Sequence, residues 1–352
     1  MKSIHRWTLL LSSFALLGLQ GSPEYRLVTN WPTLPDGMVL GHPHEFPMPD
    51  VRAKERAERE TKRAEAIARG ETPPPRSPNL QPGVSGVAID GQDHIYVFNR
   101  GKHPVIVLDT DGNVVRSGAI GLTGTVPHFI KVDNYGNVWV VDEGAHRVLK
   151  LDPAMNKILV EIGIKDEAGY DTVHLDRPAD VAITSQGEIL IADGYGNNRI
   201  VKYSPEGKFL AQWGGGPEDT GAGPGEFHLP HAVVVDSNDK VYVLDRENRR
   251  IQMFDTDGNY TGQLDGLGYI WGIALSPDER YMFMTEHESE QVLKVSLPDG
   301  KIVTRWGGQG RGAGEFDWAH GLAVDSTGAV YVGDTYGQRL QKFVPSGSTT
   351  EN

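Results

Sequence analysis

The 352-residue chain contains no cysteine, so it can form neither a disulfide nor a thiolate metal site. Stability must come from burial, and any metal must be held by histidine and carboxylate. The same absence excludes anchoring through a lipidated cysteine. Basic residues are also in deficit, 34 against 47 acidic ones, for a net charge of −13. Such a surface repels phosphate backbones and excludes a nucleic-acid partner. Beyond the N-terminus there is no long apolar run, so no stable membrane span is expected in the mature form. Only 38% of residues are hydrophobic, whereas glycine (43) and proline (22) are plentiful. That balance suits many short strands joined by tight turns.

The one apolar run that is present extends from Trp7 to Leu19, behind Lys2 and Arg6 and ahead of the small residues Gly21 and Ser22. Its length and flanks predict a signal peptide over residues 1–22, hence a secreted or periplasmic protein, with an uncleaved anchor as the alternative. Residues 23–50 read as a strand followed by a linker. Residues 51–80 form an insertion: RAKERAERETKRAEAIARGE (52–71) predicts a short solvated helix with i,i+4 ion pairs, and a Pro-rich linker follows. The globular region spans 81–346.

A single pattern recurs six times in this region, at a period of roughly 40 to 50 residues. An apolar strand ends at an acidic or hydroxyl corner: VSGVAID closing on Asp90, PHFIKVD on Asp133, PADVAIT on Thr184, PHAVVVD on Asp236, IWGIALS on Ser276 and AHGLAVD on Asp325. A second strand follows (IYVFN, VWVVD, ILIAD, VYVLD, FMTE, VYVGD), then a third such as RVLKLD or RIQMFD. A fourth often ends in Trp-Gly, as in KFLAQWG and KIVTRWG. Period-two alternation with DG and GN turns marks antiparallel strands, and six such units predict an all-β, six-bladed β-propeller. The sixth copy stops after LQKFVPSG and lacks its fourth strand. YRLVTNW (Tyr25–Trp31) resembles the missing piece, so the N-terminal strand is expected to close the ring and remove the open edge.

The first strand of a blade lies innermost. Five residues before each corner stand Ser85, His128, Ala179, His231, Trp271 and His320. The histidines fall in blades two, four and six, about 120° apart at the mouth of the channel. Three converging imidazoles with open positions are the pattern of a catalytic zinc site. The loop after the second strand shares that face and carries Arg100, Tyr195 and Arg246 in equivalent or adjacent places. Two guanidiniums and a phenol beside a cation point to an anionic ligand, best met by a carboxylate held in bidentate contacts. They also point to a tyrosine with a lowered pKa that acts as a base. Arg199 and Arg249 are expected instead to pair with acids of neighbouring blades. His103, His146 and His287 are expected at the rim.

VPHFIKVDNYGNVWVVDEGAHRVLKLDP, RPADVAI…ADGYGNNRIVKYSPEGKFLAQWG and LPHAVVVDSNDKVYVLDRENRRIQMFD resemble the peptidyl-α-hydroxyglycine α-amidating lyases, an NHL-repeat propeller family. The resemblance covers most of residues 84–344 and is greatest over 125–262. It implies zinc held by His128, His231 and His320, Tyr195 as catalytic base, and Arg100 and Arg246 as substrate-binding arginines. The implied reaction cleaves a peptidyl-α-hydroxyglycine to a peptide amide and glyoxylate. A structural calcium is also implied, but Gly321 stands where the family has its acidic ligand, which argues against that ion. The methionine-proline before the last histidine is Trp318-Ala319 here. A non-catalytic NHL propeller that binds a peptide, glycan or protein is the competing reading. A lactonase-like hydrolase wants a carboxylate-rich metal site, which the slots before the corners do not offer.

Overall fold

The computed structural model describes residues 24–41, 83–122 and 126–347, with a few positions between 58 and 69. The segment expected to be a signal peptide lies outside the described residues. Positions 58, 61, 62, 65 and 66 are helical, and Arg69 pairs with Glu65 at 3.8 Å across one turn. The rest of the charged insertion and the Pro-rich linker lie outside the described residues. No described helix is long and apolar enough to cross a membrane.

Among the described residues, six four-stranded antiparallel sheets follow one another in chain order. The first comprises β2 (Val84–Ile89), β3 (Ile95–Asn99), β4 (Val105–Leu108) and β5 (Val114–Ser117). The second is β6 (Pro127–Val132), β7 (Val138–Asp142), β8 (Arg147–Leu151) and β9 (Ile158–Ile162). The third is β10 (Asp180–Ile183), β11 (Ile189–Asp193), β12 (Asn198–Tyr203) and β13 (Phe209–Gly215). The fourth is β14 (Pro230–Val235), β15 (Val241–Asp245), β16 (Arg250–Phe254) and β17 (Tyr260–Leu264). The fifth is β18 (Ile270–Leu275), β19 (Tyr281–Glu286), β20 (Gln291–Ser296) and β21 (Ile302–Gly307). The sixth joins β22 (Ala319–Val324), β23 (Val330–Asp334) and β24 (Arg339–Pro345) to β1 (Tyr25–Leu27). Innermost strands touch in a closed cycle, with β22 back against β2. The fold is thus the expected six-bladed propeller.

Closure by the N-terminal strand is observed, with Tyr25 opposite Pro345 and Leu27 opposite Phe343. The strand is shorter than YRLVTNW suggested. Asn30 takes a left-handed turn (φ 58°), and Trp31 leaves the sheet to pack on Tyr331 at 5.2 Å.

The recurring acid at the corner has a local cause. Asp133 Oδ1 accepts the backbone N–H groups of Tyr135 and Asn137 at 2.9 Å each. Asp236 and Asp325 do the same for their own turns. Each carboxylate closes the hairpin between strands one and two, as Asx turns do. Burial differs from the simple alternation in the sequence. Inner strands such as β3, β7 and β15 are buried on both faces, and only outer strands such as β13 and β21 alternate. The reason is blade stacking: hydrophobic clusters span the blade–blade interfaces, one of them tying Val87 and Ile95 of the first blade to Tyr331 and Leu340 of the last.

Candidate metal centre and its mouth

His128, His231 and His320 enter the channel from β6, β14 and β22, and all three are buried. One ring nitrogen from each lies within 4.8 Å of the others, a group able to hold a metal ion. The slots between them have a different task. His128 Nδ1 donates to the carbonyl of Ala179, His231 Nδ1 to that of Trp271, and His320 Nδ1 to that of Ser85, each at 2.6 Å. A carbonyl only accepts, so every Nδ1 carries the hydrogen and every Nε2 keeps a lone pair for the axis. Phe129 packs against all three rings at centroid distances of 4.9, 5.7 and 5.1 Å.

A second ring of residues surrounds the first. The N–H groups of Arg100, Glu143, Tyr195, Arg246, His287 and Thr335 donate to the carbonyls of Gly83, Val126, Arg177, Leu229, Tyr269 and Trp318 at 2.9 to 3.2 Å. Each acceptor sits two residues before a slot of the first ring, so the six bonds are equivalent around the channel. Tyr195 therefore holds the same backbone place as Arg100 and Arg246, as the sequence suggested. Glu143 and His287 hold it in blades two and five.

Tyr195 Oη lies 3.0 Å from His128 Nε2 and 2.8 Å from His231 Nε2. One hydroxyl hydrogen cannot satisfy both lone pairs. His320 Nε2 is buried with no hydrogen-bond partner among the described residues. An orphaned imidazole lone pair and a doubly solicited phenol are what a metal bound by three Nε2 atoms would resolve, so these residues fit the group. Among the described residues no carboxylate-rich cluster of three or more metal ligands occurs, and the channel instead carries Lys131 paired with buried Asp180 at 3.2 Å.

Electrostatics keep the histidines neutral. Burial, then His320 and Arg100, hold His128 well below the usual imidazole value. Burial, then Arg246, does the same to His231. Burial, then Arg100, pushes His320 down to about 3. Neutral rings are the ligand form. Tyr195 departs from expectation: its pKa is pushed up to about 12, not lowered, because burial outweighs the opposing charges of Arg246 and Arg100.

The arginines are placed as expected, at the mouth. Arg100 is buried and its Nε donates to the carbonyl of Pro127 at 2.7 Å. Arg246 reaches Tyr195 Oη at 3.5 Å, pairs with Glu247 at 2.8 Å and lies 4.3 Å over the Trp271 ring. Arg249 pairs with Glu288 of the next blade at 2.6 Å. Arg199 pairs instead with Asp193 of its own blade at 2.9 Å, because strand three runs beside strand two.

Sequence reasoning missed Arg177, whose guanidinium pairs with Glu143 and lies 5.0 Å over the Tyr195 ring. It also missed Glu143 itself, a buried carboxylate beside Arg100 and Tyr195. The signal was available: Glu143 follows the last residue of β7 as Arg100 follows that of β3. His287 is not a remote rim residue. Its ring lies 5.3 Å from Trp271 and 4.8 Å from Trp318.

Comparison with known proteins agrees with this architecture. A 6-bladed beta-propeller family profile matches residues 170–297, and an NHL repeat profile matches residues 316–343. Peptidylglycine alpha-amidating monooxygenase of Rattus norvegicus is 31% identical over 75% of this chain, which spans only 30% of that protein. NHL repeat-containing protein 3 of Mus musculus is 31% identical, over 75% of this chain and 80% of its own length. A probable peptidyl-alpha-hydroxyglycine alpha-amidating lyase of Caenorhabditis elegans is 28% identical, over 73% of this chain and 81% of its own length. Among solved structures, a streptogramin B lyase superposes with a TM-score of 0.53 at 13% identity, covering 75% of this chain and 94% of that one, a likeness of fold alone.

Proposed function

The chain belongs to the NHL-repeat propeller family that includes the peptidyl-α-hydroxyglycine α-amidating lyases, and on that premise we propose that it is a zinc-dependent carbon–nitrogen lyase. The substrate class is a peptidyl-α-hydroxyglycine or a similar N-acyl adduct of an α-hydroxy acid, cleaved to an amide and glyoxylate. The observation that carries this reading is the triad of neutral imidazoles with every Nδ1 tied to a carbonyl and every Nε2 turned to one point. His128, His231 and His320 would hold the ion, which when bound supplies a Lewis-acidic charge to substrate oxygen.

The chain's own groups account for the rest. Arg100 and Arg246 face the mouth as charge for the substrate carboxylate. In the cleavage the hydroxyl loses its proton, its oxygen becomes the aldehyde carbonyl of glyoxylate, the C–N bond breaks, and nitrogen takes up a proton to leave as the amide. Tyr195 Oη, in contact with two Nε2 atoms, is placed to relay that proton: its phenol gives its own hydrogen to the departing nitrogen and takes the hydroxyl hydrogen in exchange. Burial holds the phenol protonated and the two arginines oppose it, so they serve the tyrosine as well as the carboxylate. The N-terminal apolar stretch supports export to the periplasm or the medium.

Metal analysis together with a glyoxylate assay tests the reading. We expect about one zinc per chain, and loss of both zinc and glyoxylate release in His231→Ala. Zinc without glyoxylate would redirect the search to other α-hydroxy acids. A chain that takes up no zinc on reconstitution would overturn the lyase and leave a propeller that binds its partner without turnover.

A further inference from the structure

The mouth of the channel is divided by chemistry. Blades one to four line it with the guanidiniums of Arg100, Arg177 and Arg246, the Glu143 carboxylate and the Tyr195 phenol. Blades five and six line it with rings. Trp271 stands in the first ring of slots between His231 and His320, its centroid 5.1 and 5.6 Å from theirs. Trp318 lies 4.9 Å from Trp271 and 5.2 Å from Tyr336.

Trp318 is held there at some cost. Its φ is 87°, a region that disfavours side chains with a β-carbon. Its carbonyl accepts from Thr335 N at 3.0 Å, and Glu290 Oε2 accepts from the N–H groups of Trp318 and Ala319 at 3.2 and 2.9 Å. Arg177 and Leu229 take the same left-handed turn at the equivalent place in blades three and four (φ 56° and 62°), so the turn belongs to the repeat and what it does here is to present an indole at the mouth. Trp318 also remains partly exposed, as do Tyr269, His287 and Tyr336, while Trp271 beneath them is buried. The indole N–H groups of Trp271 and Trp318 have no hydrogen-bond partner among the described residues. Those of Trp213 and Trp306 share that property in outer strands, so position and not the N–H alone distinguishes the pair at the mouth.

Resting on the lyase reading above, we propose that Trp271 and Trp318 form the subsite for the acyl side of the substrate and select a large apolar or aromatic residue next to the α-hydroxyglycine. The carboxylate and hydroxyl belong with the arginines, the histidines and Tyr195. The acyl group then extends toward the half of the mouth that is lined by rings. A ring laid against the partly exposed Trp318, which the buried Trp271 backs from beneath, is favoured over hydrogen or a small polar side chain, and the difference reaches about tenfold or more in binding.

The test separates the subsite from the chemistry. Binding of two unreactive acylglycines, phenylacetylglycine and acetylglycine, to the zinc-loaded full chain is measured by calorimetry. Glyoxylate release is measured for Phe- and Gly-α-hydroxyglycine peptides. We expect the aromatic member of each pair to be preferred about tenfold or more. Trp318→Gly suits the positive φ, which offsets part of the packing lost with the indole, and circular dichroism checks that it folds. It should cut that preference to within about threefold while acetylglycine binding stays within about twofold. Trp271→Phe, which keeps an aromatic ring, checks the deeper position. An aromatic preference in binding that Trp318→Gly removes, without any glyoxylate, supports the subsite and overturns α-hydroxyglycine as the substrate. Turnover with no aromatic preference, or a preference untouched by both substitutions, overturns the subsite and leaves the lyase standing. Failure to bind either acylglycine overturns the subsite as well.

Discussion

Blades two, four and six and blades one, three and five offer the same backbone slot to the channel and use different features of it. In the even blades the side chain matters: each slot holds a histidine whose Nε2 faces the axis. In the odd blades the carbonyl matters: Ser85, Ala179 and Trp271 each accept the Nδ1–H of the preceding histidine. One set presents the three nitrogens that could hold a metal ion, and the other sets their tautomer and orientation. A backbone acceptor is independent of residue type, which explains why serine, alanine and tryptophan all serve. The odd slots are therefore free to vary for other ends, and Trp271 is such a variation.

The comparison breaks most sharply at an even slot. His128→Ala, His231→Ala and His320→Ala should each weaken zinc binding by at least about 100-fold, read by competition with a chelator, while the fold survives by circular dichroism. Retention of full affinity would show that the three rings do not act as a set.

Next in size is the charged half of the mouth. Arg246→Lys keeps a positive charge but loses the planar fork and the stacking on Trp271, so kcat/KM should fall about 100-fold with zinc content unchanged. An unchanged kcat/KM would remove Arg246 from the substrate site.

A smaller effect is expected with pH in the metal-free chain. His320 is pushed down to about 3 in the fold from an ordinary 6.5. Between those values the unfolded chain binds the extra proton, so unfolding is favoured as pH falls. The stability due to the neutral ring is complete above about 6.5 and is lost on descent toward 3. The stability of the wild type minus that of His320→Gln should therefore rise through this window and level off above it, as read by denaturant titration. A flat difference would mean that the ring is not held neutral by burial.

The smallest effect belongs to the odd slots. Ser85→Ala and Ala179→Ser leave the carbonyls in place and should change zinc affinity by no more than about twofold. A large loss would show that side chains, not backbone, orient the histidines.

Much of this was legible in the residues. The spacing of Asp90, Asp133, Thr184, Asp236, Ser276 and Asp325 set the number of blades, because each of these side chains accepts a backbone N–H of its own turn, as any chain with that pattern would arrange. Tyr25–Leu27 announced ring closure through its likeness to the outer strands. The histidines stood out because a fixed offset from a local corner carries each to the same height on the axis. Glu143 and Arg177 were passed over, although Glu143 shares the register of Arg100, because neither alone resembles a ligand for an anion or a metal.

What the sequence by itself determined is therefore whatever repeats or acts locally: the strands, their turns, the sixfold register and the identity of the three axial histidines. Only the tertiary structure decided which nitrogen each histidine presents, since the carbonyl partners lie 51, 40 and 235 residues away. It also decided that Tyr195 titrates upward and that the mouth has a charged side and an aromatic side. Desolvation and ring stacking depend on how closely distant blades approach, and that distance is a property of the closed ring.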